Sequence, residues 1–378
     1  MRDAIRVLHV FKKMDRGGAE TFIMNVYRQM DRKRIQFDFV VHCSDPGHYD
    51  DEIRKLGGRL FIVSDPKSLI SHLGDLRRVM VMQGPFEAVH SHVHYFSGFV
   101  LRIADQCGVP IRISHSHTTN EERRESFLRK AYRGWMRRLI GKHATSRLGC
   151  SLSACESLFG RQVPRDPRDQ VVANGIDLPS FIEKSMAKQE IRRHLALPND
   201  RQLIGQIGRF DPVKNHRFTL RIFHEARRRN PSLHLLLVGD GPLRSQTENL
   251  ASELGIADSV TFYGATEHIS DILNALDLVL LPSLFEGLGL VLIEAQAAGV
   301  PIVCSSGIPE EADMGLGTME RLDLGKNTEI WLEAIVRGLS QPVPEAEIRY
   351  RSLRTKGFDI QDSTEKLREL YASSSAVR

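Results

Sequence analysis

Short apolar, β-rich runs alternate with amphipathic helical stretches along nearly the whole 378-residue chain, and this alternation constrains the fold more than any other feature. In the first half the runs are residues 5–11, 37–42, 59–63, 88–90, 110–114 and 170–173. In the second they are residues 203–207, 233–238, 260–263, 276–281 and 302–304. Several, such as LHLLLV and DLVLLP, are almost wholly apolar, as strands covered on both faces are. Strand–helix–strand repetition implies a parallel sheet with helices on both sides. The expected class is α/β, doubly wound.

The two halves rhyme. VLHVFKKMDRGGAETF and LIGQIGRFDPVKNHRF each run from a strand through a glycine turn into a helix. The match is too loose for a repeat, but it suggests two Rossmann-like domains in tandem, as the length also does. The polar stretch 178–202, with Pro179 and Pro198, sets their boundary near residue 185. The expected parts are residues 1–185, residues 186–360 and a terminal helical segment, 361–378. Charge divides the same way. Residues 1–189 hold 31 Lys and Arg against 21 Asp and Glu, whereas residues 190–378 hold 21 against 26. A basic first half could face nucleic acid, an anionic membrane or an anionic substrate. Two sheets with facing carboxyl ends would leave a ligand cleft between them.

Hydrophobic residues make up 41% of the chain, which excludes a disordered protein. No charge-free apolar run is long enough for a spanning helix. The N-terminal apolar run is broken by Lys12 and Lys13 and reads as a first strand, not a signal peptide. Cys43, Cys107, Cys150, Cys155 and Cys304 are scattered, without a C-x-x-C pair. They suit a reducing compartment, so a cytoplasmic location is expected.

The segment PSLFEGLGLVLIEAQAAGVPIVCSS, residues 282–306, carries the strongest chemical signal. A strand ends, a turn of Gly287, Leu288 and Gly289 follows, and a helix opens near Leu290. Glycines admit close ligand approach, and free amides at a helix start favour an anion. Glu286 could reach sugar hydroxyls, and Glu294, about two turns into the helix, could hold a ribose diol. Taken alone, Glu286 is better read as a solvated loop residue, and Glu294 equally suits a charged helix face. Arg209 and Lys214 flank an Asp211-Pro212 bend at a strand end. Two cations so placed suit a diphosphate leaving group, although surface Arg and Lys are common. Gly239 and Gly241 begin a dinucleotide fingerprint that fails at Arg244, which disfavours NAD. Gly17 and Gly18 form a strand-to-helix loop, with Glu20 opening the helix.

Histidines cluster at His90, His92, His94, His115 and His117, and alternation along HSHVH puts three on one strand face. Metal binding is weighed there and disfavoured, since no carboxylate or thiol motif accompanies them. The chain has no D-x-D, so cations of the protein, with no metal or other cofactor, are the expected charge stabilisers. Nine Lys or Arg lie between Arg123 and Arg147. Leu128, Ala131, Tyr132, Trp135, Met136 and Leu139 fall among them at helical spacing. This reads as a helix packed on the first domain with a basic outer face, or as a membrane-docking helix. Nucleic acid is the least suited partner, because no binding motif accompanies the charge.

These segments together resemble glycosyltransferase family 4, retaining enzymes of the GT-B fold. The carriers are the E-x7-E pair Glu286 and Glu294, GGAE (17–20), NGID (174–177), GRFDPVKN (208–215) and GDGP (239–242). HYFSG (94–98), SHSH (114–117) and VLIEAQAAG add a likeness to EpsF-like exopolysaccharide and capsule glycosyltransferases. The resemblance implies transfer of a hexosyl group from a nucleotide-sugar donor, UDP-linked, to a glycan or lipid-linked acceptor. It implies that Arg209 and Lys214 contact the diphosphate and that Gly239 and Gly241 line the nucleotide pocket. Gly17 and Gly18 would approach the donor phosphates, His117 would be the cleft histidine beside the transferred sugar, and His115 would be structural. The terminal helix would pack back at the domain junction. Gly289 stands where proline is common in that family. A UDP-sugar 2-epimerase and a non-catalytic nucleotide-sugar sensor share the architecture and remain rival readings.

Overall fold

The computed structural model describes residues 4–65, 67–117, 126–160, 166–183 and 186–373. It divides into two compact units, Met1–Ile176 with Gly357–Arg378, and Asp177–Lys356. Residue 185, where the sequence suggests a boundary, lies outside the described residues, as do Arg123 and residues 374–378. The second unit begins at Asp177 because the helix Leu178–Ile182 packs against Leu290–Ala298 and Ala346–Thr355, both of that unit.

The first unit holds β1 (Ile5–Phe11), β2 (Ile35–Val41), β3 (Leu60–Ile62), β4 (Ala88–Ser91), β5 (Ile111–Ser116), β6 (Ser146–Gly149) and β7 (Asp169–Val171). They form one sheet in the order β3-β2-β1-β4-β5-β6-β7, every pair parallel. The second holds β8 (Gln202–Ile207), β9 (Leu233–Val238), β10 (Val260–Gly264), β11 (Leu278–Leu281), β12 (Ile302–Ser305) and β13 (Met319–Leu322). Its order is β10-β9-β8-β11-β12-β13, again all parallel. The doubly wound expectation holds in both units. β6 and β13 are additions: SRLG and MERL are four residues long and charged, so they present no apolar run.

In each sheet the winding reverses between two strands, β1 and β4 in the first, β8 and β11 in the second. Ligands of such sheets bind beyond the strand carboxyl ends at that reversal. The loops there are 12–17 and 92–96 in the first unit, and 208–215 and 282–289 in the second.

Successive residues of β1 serve opposite faces, as the two-residue strand period requires. Val7 and Phe11 join a core with Phe22, Phe37 and Tyr371, whereas Leu8 and Val10 join one with Leu76, Val89 and Leu101. The last helix, Ile360–Ala372, belongs to the first unit and packs on the helix Gly18–Gln29. It buries Ile360, Leu367 and Tyr371 in the first of these cores, each contributing on the order of 1.5–3 kcal/mol. The start of this helix rests on Gly175, where a Cβ would come within 2.7–2.9 Å of Ser363 Oγ, the Ile360 Cα and the Asp359 carbonyl. The NGID segment is therefore a packing joint for the terminal helix.

Candidate active site

In the second unit, chain chemistry folds the turn after β8. Asp211 Oδ1 accepts from the amides of Val213 and Lys214 at 3.0 and 3.1 Å, and Pro212 presets the first residue of the turn. Gln206 Nε2 donates to the Lys214 carbonyl at 2.6 Å. Asn215, left-handed at φ 54°, donates from Nδ2 to the Pro282 carbonyl at 3.1 Å. The Leu284 amide donates to the Val213 carbonyl at 2.8 Å. The loops after β8 and β11 are thus stapled together.

That stapling brings Lys214 and Glu286 into contact. Lys214 Nζ lies 2.6 Å from Glu286 Oε1, and the side chains are only 17% and 12% exposed. The lysine stem lies over Gly208, where a Cβ would stand 2.8 Å from its Cε. Arg209 differs: its side chain is exposed and has no ion-pair partner among the described residues. One expected cation is therefore neutralised within the protein and the other is open to an anion.

Gly239 and Gly241 have a reason independent of any ligand. A Cβ on Gly239 would come within 2.1 Å of the Gly208 carbonyl oxygen, and one on Gly241 within 2.6 Å of that of Phe210. The GDGP turn packs backbone to backbone on the 208–210 turn, and the Phe210 amide donates to the Asp240 carbonyl at 3.0 Å.

After β11, Gly287 is half-buried and Leu288 buried. Gly289, at φ 74°, caps the helix Leu290–Ala298 without a side-chain hydrogen bond. Proline cannot reach that φ, so this loop follows a course that a proline there would forbid. Glu294, in the second turn of the helix, is half-buried and has no hydrogen-bond or ion-pair partner among the described residues. Burial pushes its carboxyl up to about 7.

In the first unit, Gly17 precedes the helix that Gly18 opens. A Cβ on Gly17 would meet Glu20 Oε2 at 2.2 Å. The Glu20 carboxylate folds back over the helix start, and burial holds it above the usual glutamate range. The sequence marks Glu20 only as a helix opener; its fold-back depends on the missing side chain of Gly17.

The histidines assemble across strands instead of along one. His94 leaves the strand in a short helical turn at φ 50°, so HSHVH does not present three on a face. Instead, register sets His9 of β1 beside His90 of β4, and His92, His115 and His117 continue the row onto β5. His9 Nδ1 lies 3.1 Å from His92 Nε2, and His92 Nδ1 lies 2.9 Å from His117 Nε2. His90 bridges His115 Nδ1 at 3.1 Å and Tyr371 Oη at 2.7 Å. Burial lowers all five, His9 to about 3 and His117 to about 4. They are neutral imidazoles at pH 7. His9 and Tyr371 belong to this group; strand register places the first and the returning last helix the second, and one sequence displays neither.

The basic helix runs Phe127–His143 and buries only Met136, Ile140 and His143. Phe127 is 83% exposed, Leu128 79% and Trp135 49%. Trp135 packs edge-on against Phe99 with ring centroids 5.3 Å apart and Leu139 joins the core below, as a packed helix requires, but Leu128 stands clear of the domain: the stretch is more apolar than its docking face can cover. No described helix is long and apolar enough to cross a membrane.

Two all-parallel α/β units, each with its loops gathered at the strand-order reversal, define the GT-B class. HepE of Anabaena, in complex with UDP-glucose, superposes with a TM-score of 0.76 at 17% identity, covering 98% of this chain and 100% of that one. Residues 187–314 match the family model for glycosyl transferases group 1, and residues 17–175 match that for a glycosyl transferase 4-like domain. A Bacillus subtilis (strain 168) protein bearing the name glycosyltransferase EpsF is 38% identical over 97% of this chain and 96% of its own length. The UDP-Gal:alpha-D-GlcNAc-diphosphoundecaprenol alpha-1,3-galactosyltransferase of Escherichia coli is 28% identical over 89% of each chain. The chain belongs to the group 1, family 4 glycosyltransferases, and it is a transferase enzyme.

Proposed function

We propose that the protein moves a hexosyl group from a UDP-sugar to a hydroxyl of a glycan or lipid-linked acceptor in polysaccharide biosynthesis, with retention of configuration. The observation that carries this reading is the grouping after β8 and β11: an open Arg209, the Lys214–Glu286 pair, and a half-buried carboxyl at Glu294 that lacks a donor among the described residues. A nucleoside diphosphate answers each of these. Its phosphates bring the negative charge that Arg209 lacks, and its ribose diol brings the donors that Glu294 lacks. The amides of the Gly287–Leu290 turn, at a helix start whose cap makes no side-chain hydrogen bond, add neutral donors for the phosphate. The UDP-glucose complex of HepE and the lipid diphosphate acceptor in the Escherichia coli enzyme's name support the two substrate classes.

In this mechanism the acceptor hydroxyl attacks on the leaving-group side. The bond from the anomeric carbon to the phosphate oxygen breaks as the bond to the acceptor oxygen forms, and the hydroxyl proton passes to the departing phosphate. Arg209 and Lys214 stabilise the charge that grows on the diphosphate. Glu286 exchanges Lys214 for the sugar hydroxyls, and His117 completes the acceptor side. The first unit, basic in balance, takes the acceptor, and the exposed Phe127, Leu128 and Trp135 dock its basic helix on an anionic membrane.

Incubating the protein with UDP-glucose and UDP-galactose, with and without a short lipid-linked glycan, tests the reading. Acceptor-dependent release of UDP with an α-linked product is expected from an α-linked donor. An epimer formed from donor alone would favour the epimerase, and donor binding with no turnover on any acceptor would favour a sensor.

A further inference from the structure

The histidine row holds more than packing requires. One ring nitrogen from each of His92, His115 and His117 lies within 4.8 Å of the other two. His92 Nδ1 and His117 Nε2 face each other at 2.9 Å. His115 Nδ1 is engaged by His90, and its buried Nε2 makes no hydrogen bond of normal geometry, with the Val172 backbone beside the ring.

The outward nitrogens each have an acceptor. His92 Nε2 faces His9 Nδ1 at 3.1 Å. His115 Nδ1 faces His90 Nε2, whose own Nδ1 reaches Tyr371 Oη. His117 Nδ1 and Asn174 Oδ1 are both buried and unpaired, with the Asn174 side chain beside the ring. A neutral imidazole carries one N–H. When the three outward nitrogens hold those hydrogens, the inward three present only lone pairs. With that set of tautomers, a bound cation takes the place of the proton that His92 Nδ1 and His117 Nε2 otherwise share at 2.9 Å.

We propose that His92, His115 and His117 bind one divalent transition metal of the zinc type, with His9, His90 and Asn174 orienting the ligands through their second nitrogens. Three imidazoles without oxygen ligands select Zn²⁺, Co²⁺, Ni²⁺ or Cu²⁺ over Mg²⁺ or Ca²⁺. Three histidines with a free fourth position form a known zinc geometry, and outward hydrogen bonds of this kind fix such ligands. His92 and His117 are partly exposed, which gives the ion a way in. The neighbouring trio His9, His90 and His92 is less suited, because His9 and His90 are fully buried and both His90 nitrogens are engaged.

The test uses the full chain with a histidine-free tag, stripped by chelator and titrated with Co²⁺, without donor or acceptor. Its failure would therefore leave the transferase reading untouched. One equivalent should bind with the visible bands of a low-symmetry site and be displaced by Zn²⁺. Asn174→Ala should weaken binding by about 10–100-fold, and His117→Ala and His92→Gln by more. His268→Ala, at an exposed histidine elsewhere, should change nothing. No bound equivalent in the wild-type protein, or full affinity in folded His117→Ala, overturns the proposal.

Discussion

Lys214 Nζ lies 2.6 Å from Glu286 Oε1, so the cation expected to meet a leaving diphosphate is already neutralised by the carboxylate expected to meet the sugar. The incoming phosphate must compete with Glu286 for Lys214. Glu286→Gln removes that competitor and should bind UDP severalfold more tightly, while transfer falls. Lys214→Ala should weaken UDP binding and also lower transfer, because the leaving diphosphate loses a cation. It should also lower stability by about 1–3 kcal/mol, since it strands a mostly buried carboxylate. Calorimetric UDP affinity, transfer rates and urea unfolding of the two variants check this.

Glu294 makes the apo protein sensitive to pH. Its folded value of about 7 exceeds the roughly 4.3 of an unfolded glutamate. The stability linked to its proton is therefore complete below the unfolded value and is lost as pH rises through 7. Glu294→Gln should stabilise the ligand-free protein at pH 8, by about 1–3 kcal/mol, and much less at pH 5. Ribose hydroxyls would favour the charged form, so uridine should bind wild-type protein more tightly at pH 8 than at pH 6, with proton release. The glutamine variant should bind uridine weakly and without that pH dependence. Thermal melts and calorimetry in two buffers read both effects.

At Gly289 the φ of 74° leaves no room for a conventional residue. Gly289→Ala should cost on the order of 1–2 kcal/mol and raise the donor KM. Gly289→Pro should abolish transfer, because the ring forces φ to the opposite sign. Preserved activity in the proline variant would mean that the loop is not held as described.

Membrane docking has a built-in reporter. The chain has two tryptophans; Trp331 is fully buried and Trp135 is 49% exposed. Vesicles rich in anionic lipid should shift tryptophan emission to the blue, and neutral vesicles should not. Trp135→Phe should remove the shift, and added salt should weaken it.

Much of the fold is legible from apolar runs alone, because strands covered on both faces must be apolar in sequence. β6 and β13 escape that rule, since four residues that include a charge leave no pattern. The chemistry after β8 and β11 is legible as Arg209, Lys214, Glu286 and Glu294, because strand-end loops advertise charge. The partnership of Lys214 with Glu286 is not, since it depends on Asn215 and Val213 stapling two loops about seventy residues apart. The histidine row is half legible. HSHVH and SHSH are visible, but His9 and Tyr371 join only through register and the returning helix. The helix 127–143 misleads, because its spacing predicts a buried face where the structure buries only Met136, Ile140 and His143.

The most direct test compares UDP with uridine on the wild-type protein and on Arg209→Ala. Arg209 is exposed and unpaired among the described residues, so its removal should leave the melting temperature unchanged. UDP affinity and kcat/KM for the donor should fall by about 2–4 kcal/mol, with uridine affinity unaltered. UDP binding and turnover at wild-type strength in Arg209→Ala would contradict the placement of the diphosphate at this turn.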